Sequence, residues 1–160
     1  MIVVADTGPL HYLILLEHAE LLHGLYGEVV VPEAVATELS SPSAPTAVRD
    51  WLSRAPAWFS VVPVEADSVQ EVTDELDLGE RAAIALAGTL HADLLLIDDA
   101  AGRAEAKRRS LRVTGTLGVL RTAAERGLVN VPELIVRLKA TNFYADEALL
   151  KSAFGRWIES

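Results

Sequence analysis

Ile2-Val3-Val4-Ala5-Asp6-Thr7-Gly8-Pro9 reads as a short buried strand that ends on a carboxylate and turns directly into a helix. Four apolar residues without polar alternation mark a strand covered on both faces, as in a parallel sheet. Pro9 suits the first turn of the helix that follows, where a missing N–H costs little. The same pattern recurs at Leu94-Leu95-Leu96-Ile97-Asp98-Asp99. In an open α/β sheet, ligands sit outside the carboxyl ends of the strands. Asp6 and the Asp98-Asp99 pair therefore stand where such a fold does its chemistry.

Working outward, strands are predicted at 28–31, from Trp58 to Val62 and, more weakly, at 112–114. Pro32 opens a short helix over 33–40, and further helices are predicted over 46–55, 78–91, 100–110 and 116–126. The 78–91 segment carries an apolar face at Ile84, Leu86, Ala87 and Leu90. This βα alternation predicts a three-layer α/β/α sandwich with a central, mostly parallel sheet. Ser40-Ser41-Pro42-Ser43-Ala44-Pro45 is a loop by composition, with a flexible flap over a site as the alternative reading. Residues 65–80 hold seven acids and no base, the mark of a solvated helix and its entry. Asn130-Val131-Pro132-Glu133 has the cap, early proline and third-position Glu of a helix start. Leu149, Leu150, Ala153, Phe154 and Trp157 then give 146–158 an apolar face to pack on the body or on a partner. No repeat or long linker divides the chain, so one domain is expected over 1–160, with a core at about 1–128 and C-terminal helices over 132–158.

Composition narrows the class. The chain has 160 residues and is 51% hydrophobic, enough for a sizeable core. No apolar stretch reaches the roughly 20 residues of a membrane span. The start lacks the basic region of a secretory signal, and a soluble, cytoplasmic protein is expected. The absence of cysteine excludes disulfides and thiolate chemistry. Net charge is −9, but it is unevenly spread. Residues 1–100 carry 3 Lys/Arg and 17 Asp/Glu, whereas residues 101–160 carry 11 and 6. Such asymmetry hints at a polyanion-binding face beside an acidic one. Arg103, Lys107, Arg108, Arg109 and Arg112 form the sharpest basic cluster. It reads either as a solvated helix face or as phosphate contacts, and its place after Asp98-Asp99 favours phosphate.

The acids differ in weight. A carboxylate at the end of a central strand, such as Asp6, is partly buried and needs a partner. It also reads as a helix cap, although Thr7 or Gly8 can take that role. Asp98 and Asp99 repel each other unless a cation sits among the acids. Asp99 suits the cap of the helix from Ala100, which favours Asp98 as the direct ligand, with Asp99 binding through water or from behind, and the choice between the two stays open. Glu80 has two even readings, a site carboxylate or the reciprocal partner of Asp77 in a capping box. Glu38 alone is an ordinary Glu on a short helix. Carboxylates gathered at strand ends suit Mg²⁺ or Mn²⁺ for phosphate chemistry. His11, His18, His23 and His91 have no zinc spacing, and no dinucleotide, P-loop or nucleophile-elbow motif is present. Thr114-Gly115-Thr116-Leu117-Gly118 is too short for a nucleotide cradle, although a helix start there offers N–H groups to a phosphate.

Four segments in order resemble the PIN-domain family, in its small prokaryotic branch related to VapC-type toxins. They are Val3 to Leu10, Val29 to Glu38, Leu78 to Ala87, and Leu94 to Arg103 followed by Val113 to Gly118. The resemblance implies a metal-dependent endoribonuclease, with Asp6, Glu38, Glu80 and Asp98 as its acids. It implies Mg²⁺ or Mn²⁺ on Asp6, Glu80, Asp98 and Asp99, with Thr7 and Thr116 as supporting polar residues. Gly8 departs from the family's frequent serine, removing a hydrogen bond to the first acid. Arg103 and Lys107, four apart on one helix face, are expected to hold RNA phosphates. A toxin of this kind implies an antitoxin protein crossing the acid cleft, and exposed apolar helices suggest a homodimer. Affinity for bulk nucleic acid is expected to be modest and salt-sensitive. Two rivals remain: a catalytically silent PIN-like binding module, and an Mg²⁺-dependent phosphatase with Asp6 as nucleophile. The phosphatase would want an acid two residues on, where Gly8 stands.

Overall fold

The computed structural model describes residues 1–158; Glu159 and Ser160, the end of the expected 1–160 domain, lie outside the described residues. In chain order the elements are β1 (Val3–Ala5), α1 (Thr7–Leu15), α2 (Glu20–Tyr26), β2 (Val29–Pro32), α3 (Glu33–Leu39), α4 (Thr46–Ser53), β3 (Phe59–Val62) and α5 (Ala66–Gln70). They continue with α6 (Leu78–Thr89), β4 (Leu94–Leu96), α7 (Ala100–Arg108), β5 (Val113–Thr114), α8 (Thr116–Glu125), α9 (Val131–Lys139) and α10 (Glu147–Ile158). The sheet order is β3-β2-β1-β4-β5, and every pairing is parallel rather than mostly so. The weak strand at 112–114 is β5, which borders β4.

The two-residue period of a strand divides the apolar runs between two cores. Val3, Ala5, Val29, Val31 and Leu96 face Leu10 and Leu13 of α1, Val48 of α4, Leu120 of α8 and Phe154 of α10. Val4, Leu95 and Ile97 face the other way, onto Ile84 of α6 and Ala106 of α7. The result is the three-layer α/β/α sandwich expected from the alternation. In the acid-rich 65–80 stretch α5 is short, and Val72 and Leu76 are buried beneath a charged surface. Asn130 caps α9 by accepting from the Glu133 N–H at 3.0 Å. The amphipathic tail, left open between body and partner, packs on the body: Leu150 and Phe154 of α10 lie in the first core.

The order of strands places a switch point between β1 and β4, where successive connections leave in opposite directions along the sheet. Ala5 pairs with Leu96, and the Asp6 N–H donates to the Leu96 carbonyl at 2.8 Å. The carboxylates ending these two strands thus open into one crevice.

Candidate functional site

Asp6 occupies the N-cap position of α1 in extended backbone, yet its side chain makes no capping bond. It is 6% exposed, and its Oδ1 is buried with no hydrogen-bond partner. Burial pushes its pKa from the ordinary 3.8 up to about 7; the Thr7 N–H opposes this, and the charges of Asp77, Glu38 and Asp98 add to it.

Asp98 is held from β5–α8. The Thr116 N–H donates to Oδ1 and the Thr116 hydroxyl to Oδ2, both at 2.7 Å. Thr116 itself is fully buried, so this clasp is fixed by the core. Gly115 is required beside it: a Cβ there would meet Asp98 Oδ1 at 2.5 Å and Arg103 Nη1 at 2.9 Å. Gly8 also lies against Asp98, with Oδ2 3.1 Å from where its Cβ would be. A side chain at position 8 would therefore crowd the Asp98 carboxylate, a different consequence from the lost bond to Asp6 that the family pattern suggested.

Asp99 takes the capping reading, accepting from the Gly102 N–H at 2.9 Å at the start of α7. For Glu80 the structure shows the capping reading and leaves one oxygen outside the box. Its N–H donates to Asp77 Oδ1 at 2.8 Å while its Oε1 accepts from the Asp77 N–H at 3.1 Å, a complete capping box. Its Oε2 turns toward Gly102 at the start of α7. Burial raises the Glu80 pKa; the Asp77 N–H opposes this, and Asp77, Asp99 and Asp6 add repulsion. Glu38 is exposed on α3, where its Oε2 accepts from the Thr7 hydroxyl at 2.7 Å and its other oxygen abuts Gly79 of α6. Asp6, Glu38, Glu80 and Asp98 thus converge from β1, α3, α6 and β4.

They converge as an open array. Among the described residues, no three Asp, Glu or His side chains form a group able to hold a metal ion by themselves. The donor set nevertheless fits Mg²⁺ or Mn²⁺: it is all carboxylate oxygen, and it includes a buried oxygen with no partner. Mg²⁺ is commonly held by one or two carboxylates, waters and substrate phosphates rather than by an all-protein cage.

The basic cluster divides. Arg103, in the first turns of α7, lines a cleft of about 620 Å³ together with Asp98 and Asp99. Lys107 is exposed, roughly 6 Å further along the helix. Arg108 and Arg109 are turned to the buried Glu105, at 2.6 and 3.3 Å, and Arg109 also donates to the Glu71 carbonyl. Arg112 precedes β5 and so lies at the opposite end of the sheet from the acids. As a five-residue phosphate face the cluster fails, because helix spacing and strand direction carry three members away.

The cleft is also lined by Tyr12, Phe143, Tyr144 and Leu149, of which sequence reasoning named only Leu149, as part of the apolar face of 146–158. The available signal was the Phe143-Tyr144 pair between two helices, which periodicity does not connect to residue 98.

An all-parallel α/β/α sandwich with acids converging at its switch point is suited to holding a divalent cation outside the strand ends. A family model described as a PIN domain matches residues 2–159, and the chain belongs to the PIN-domain family. PIN domains are generally nucleases and typically use divalent metals. No curated protein matches the chain.

Proposed function

We propose that this chain is a metal-dependent endoribonuclease of the branch related to VapC-type toxins. The observation that carries the reading is Asp6, a buried carboxylate with an unbonded oxygen, beside the clasped Asp98 at the switch point. Asp6, Glu80 and Asp98 would hold Mg²⁺ or Mn²⁺, with Asp99 acting through water or from behind. A divalent ion supplies neutralisation of phosphodiester charge and acidification of water. Thr116 fixes the direction of Asp98, and Thr7 fixes Glu38 at the rim. Arg103 supplies a cation at the cleft for a flanking phosphate, and Lys107 continues that track outward. No serine or cysteine nucleophile is required. An antitoxin segment would fill the same cleft and set a basic side chain among the acids. A homodimer remains part of the proposal, through helices other than the buried face of α10.

The test is cleavage of single-stranded and structured RNA and DNA with Mn²⁺, Mg²⁺ or chelator, alongside Asp6→Asn and Asp98→Asn proteins. Metal-dependent RNA cutting lost in both variants is expected. No cutting by wild type, with no metal binding by calorimetry, would favour a silent PIN-like module instead.

A further inference from the structure

Between α9 and α10 the chain lines the cleft that Asp98 and Asp99 share, and it is pinned there. Lys139 and Glu147 pair at 2.6 Å across the base of the crossing. The Thr141 hydroxyl donates to the Leu138 carbonyl at 2.7 Å and accepts from the Phe143 N–H at 3.2 Å. Asp146 accepts from the Leu149 N–H at 2.8 Å, capping α10. Most directly, the Tyr12 hydroxyl donates to Asn142 Oδ1 at 3.0 Å, and the Tyr12 and Phe143 rings meet edge to face at 4.9 Å. Tyr12 sits on α1, the helix that begins at Asp6, so the segment is tied to the element that carries the first acid.

At the tip of this braced segment stands Tyr144, 82% exposed. Among the described residues it makes no hydrogen bond or ring contact. An aromatic ring left bare on a mobile tail would mean little. Here the backbone on both sides is fixed, and the ring lines the same cleft as Asp98 and Arg103. The lining of the cleft thus offers charge together with Tyr144, Phe143 and Leu149. A phosphate alone would use only the charge, whereas a nucleotide uses both. Aromatic side chains stack on unpaired bases with little sequence preference, and a base inside a duplex has no free face to offer.

We infer that Tyr144 is a stacking platform for an unpaired base of the nucleotide whose phosphate meets Arg103. The inference rests on the nuclease reading and names a base-contacting residue for it. The ring face does the binding, and the tyrosine hydroxyl is dispensable.

The experiment uses a short single-stranded RNA containing 2-aminopurine, whose fluorescence is quenched on stacking. It is titrated into wild type, Tyr144→Ala and Tyr144→Phe, and cleavage with Mn²⁺ is followed on the same preparations. Expected is quenching by wild type and Tyr144→Phe, its loss in Tyr144→Ala, and a roughly 5- to 100-fold weaker affinity of the Ala variant. An unchanged Tm in Tyr144→Ala checks that the fold is intact. Equal quenching and affinity in all three proteins overturns the platform, while continued cutting leaves the nuclease reading standing. Tyr144-dependent quenching without cutting under any metal does the reverse. If wild type neither binds nor cuts RNA, both fall, and the aromatic wall belongs to a protein partner.

Discussion

Asp6 is a carboxylate the fold makes costly to ionise, and that cost gives a signed prediction. The folded protein holds the Asp6 proton up to about pH 7, whereas the unfolded chain releases it near 3.8. Between those values the folded state binds more protons, so this contribution to stability is complete below about pH 4. It is lost as pH rises toward 7 and is flat above. In chelator at pH 8, Asp6→Asn is therefore expected to be more stable than wild type, by about 1–3 kcal/mol, in urea denaturation. The gap should narrow at pH 5, and Mn²⁺ should raise the Tm of wild type but not of the variant. A variant less stable than wild type at pH 8 would defeat this account. Asp6 and Asp98 were legible in the sequence because each ends an unbroken apolar run. The side chains that hold the site were less so: Thr116 lies 18 residues beyond Asp98, and Glu38 lies 31 beyond Thr7. Local spacing does not encode such partnerships; for Thr7 and Thr116 only the family pattern pointed the right way. For Glu80 the sequence posed a choice, of which the fold shows the capping box, with the second oxygen left outside it.

At the scale of elements, helix spacing predicted that α10 has an apolar face but not where that face goes. Phe154 is fully buried, and α10 packs against α8 and α9. Phe154→Ala is expected to cost about 3–5 kcal/mol and lower Tm by on the order of 10 °C, with no change in molecular mass by light scattering. A halved mass with an unchanged Tm would instead place the ring in a subunit interface. Strands were read to within a residue or two because β-branched runs flanked by Pro, Gly or Asp leave few alternatives. The crossing between α9 and α10 was illegible for the opposite reason: Tyr12 and Asn142 are 130 positions apart, and only the closed fold brings them together. The basic cluster divides because its cations run from Arg103 in the first turns of α7, beside the acids, through Lys107 and Arg108 in its last turn, to Arg112 at the far end of the sheet.

Over the whole molecule, the cationic surplus of residues 101–160 is largely spent at home. Arg121 pairs with Glu125, Arg137 with Glu17 and Lys139 with Glu147, while Arg156 lies over the Trp157 ring. Of the cations on α7, Arg103 and Lys107 have no ion-pair partner among the described residues, so the proposed RNA contact has about two cations to draw on, only Arg103 lining the cleft. The plot of log affinity against log salt for single-stranded RNA should then have a shallow slope of about −1 to −2. A slope steeper than about −4 would reveal a basic surface outside the cleft. Charge asymmetry in the sequence pointed toward a polyanion, but it could not tell engaged cations from available ones. The strand order has a last consequence, for the growing chain. β1 lies at the centre of the sheet, but its neighbour β4 is about ninety residues downstream. At ribosomal speed β1 waits on the order of ten seconds with one edge open. Asp6, Glu38 and Glu80 are by then already translated, without Asp98. A nascent chain in this state presents a sticky strand edge and an incomplete acid array, so whatever chemistry the four acids perform together must wait until the second half of the chain has emerged.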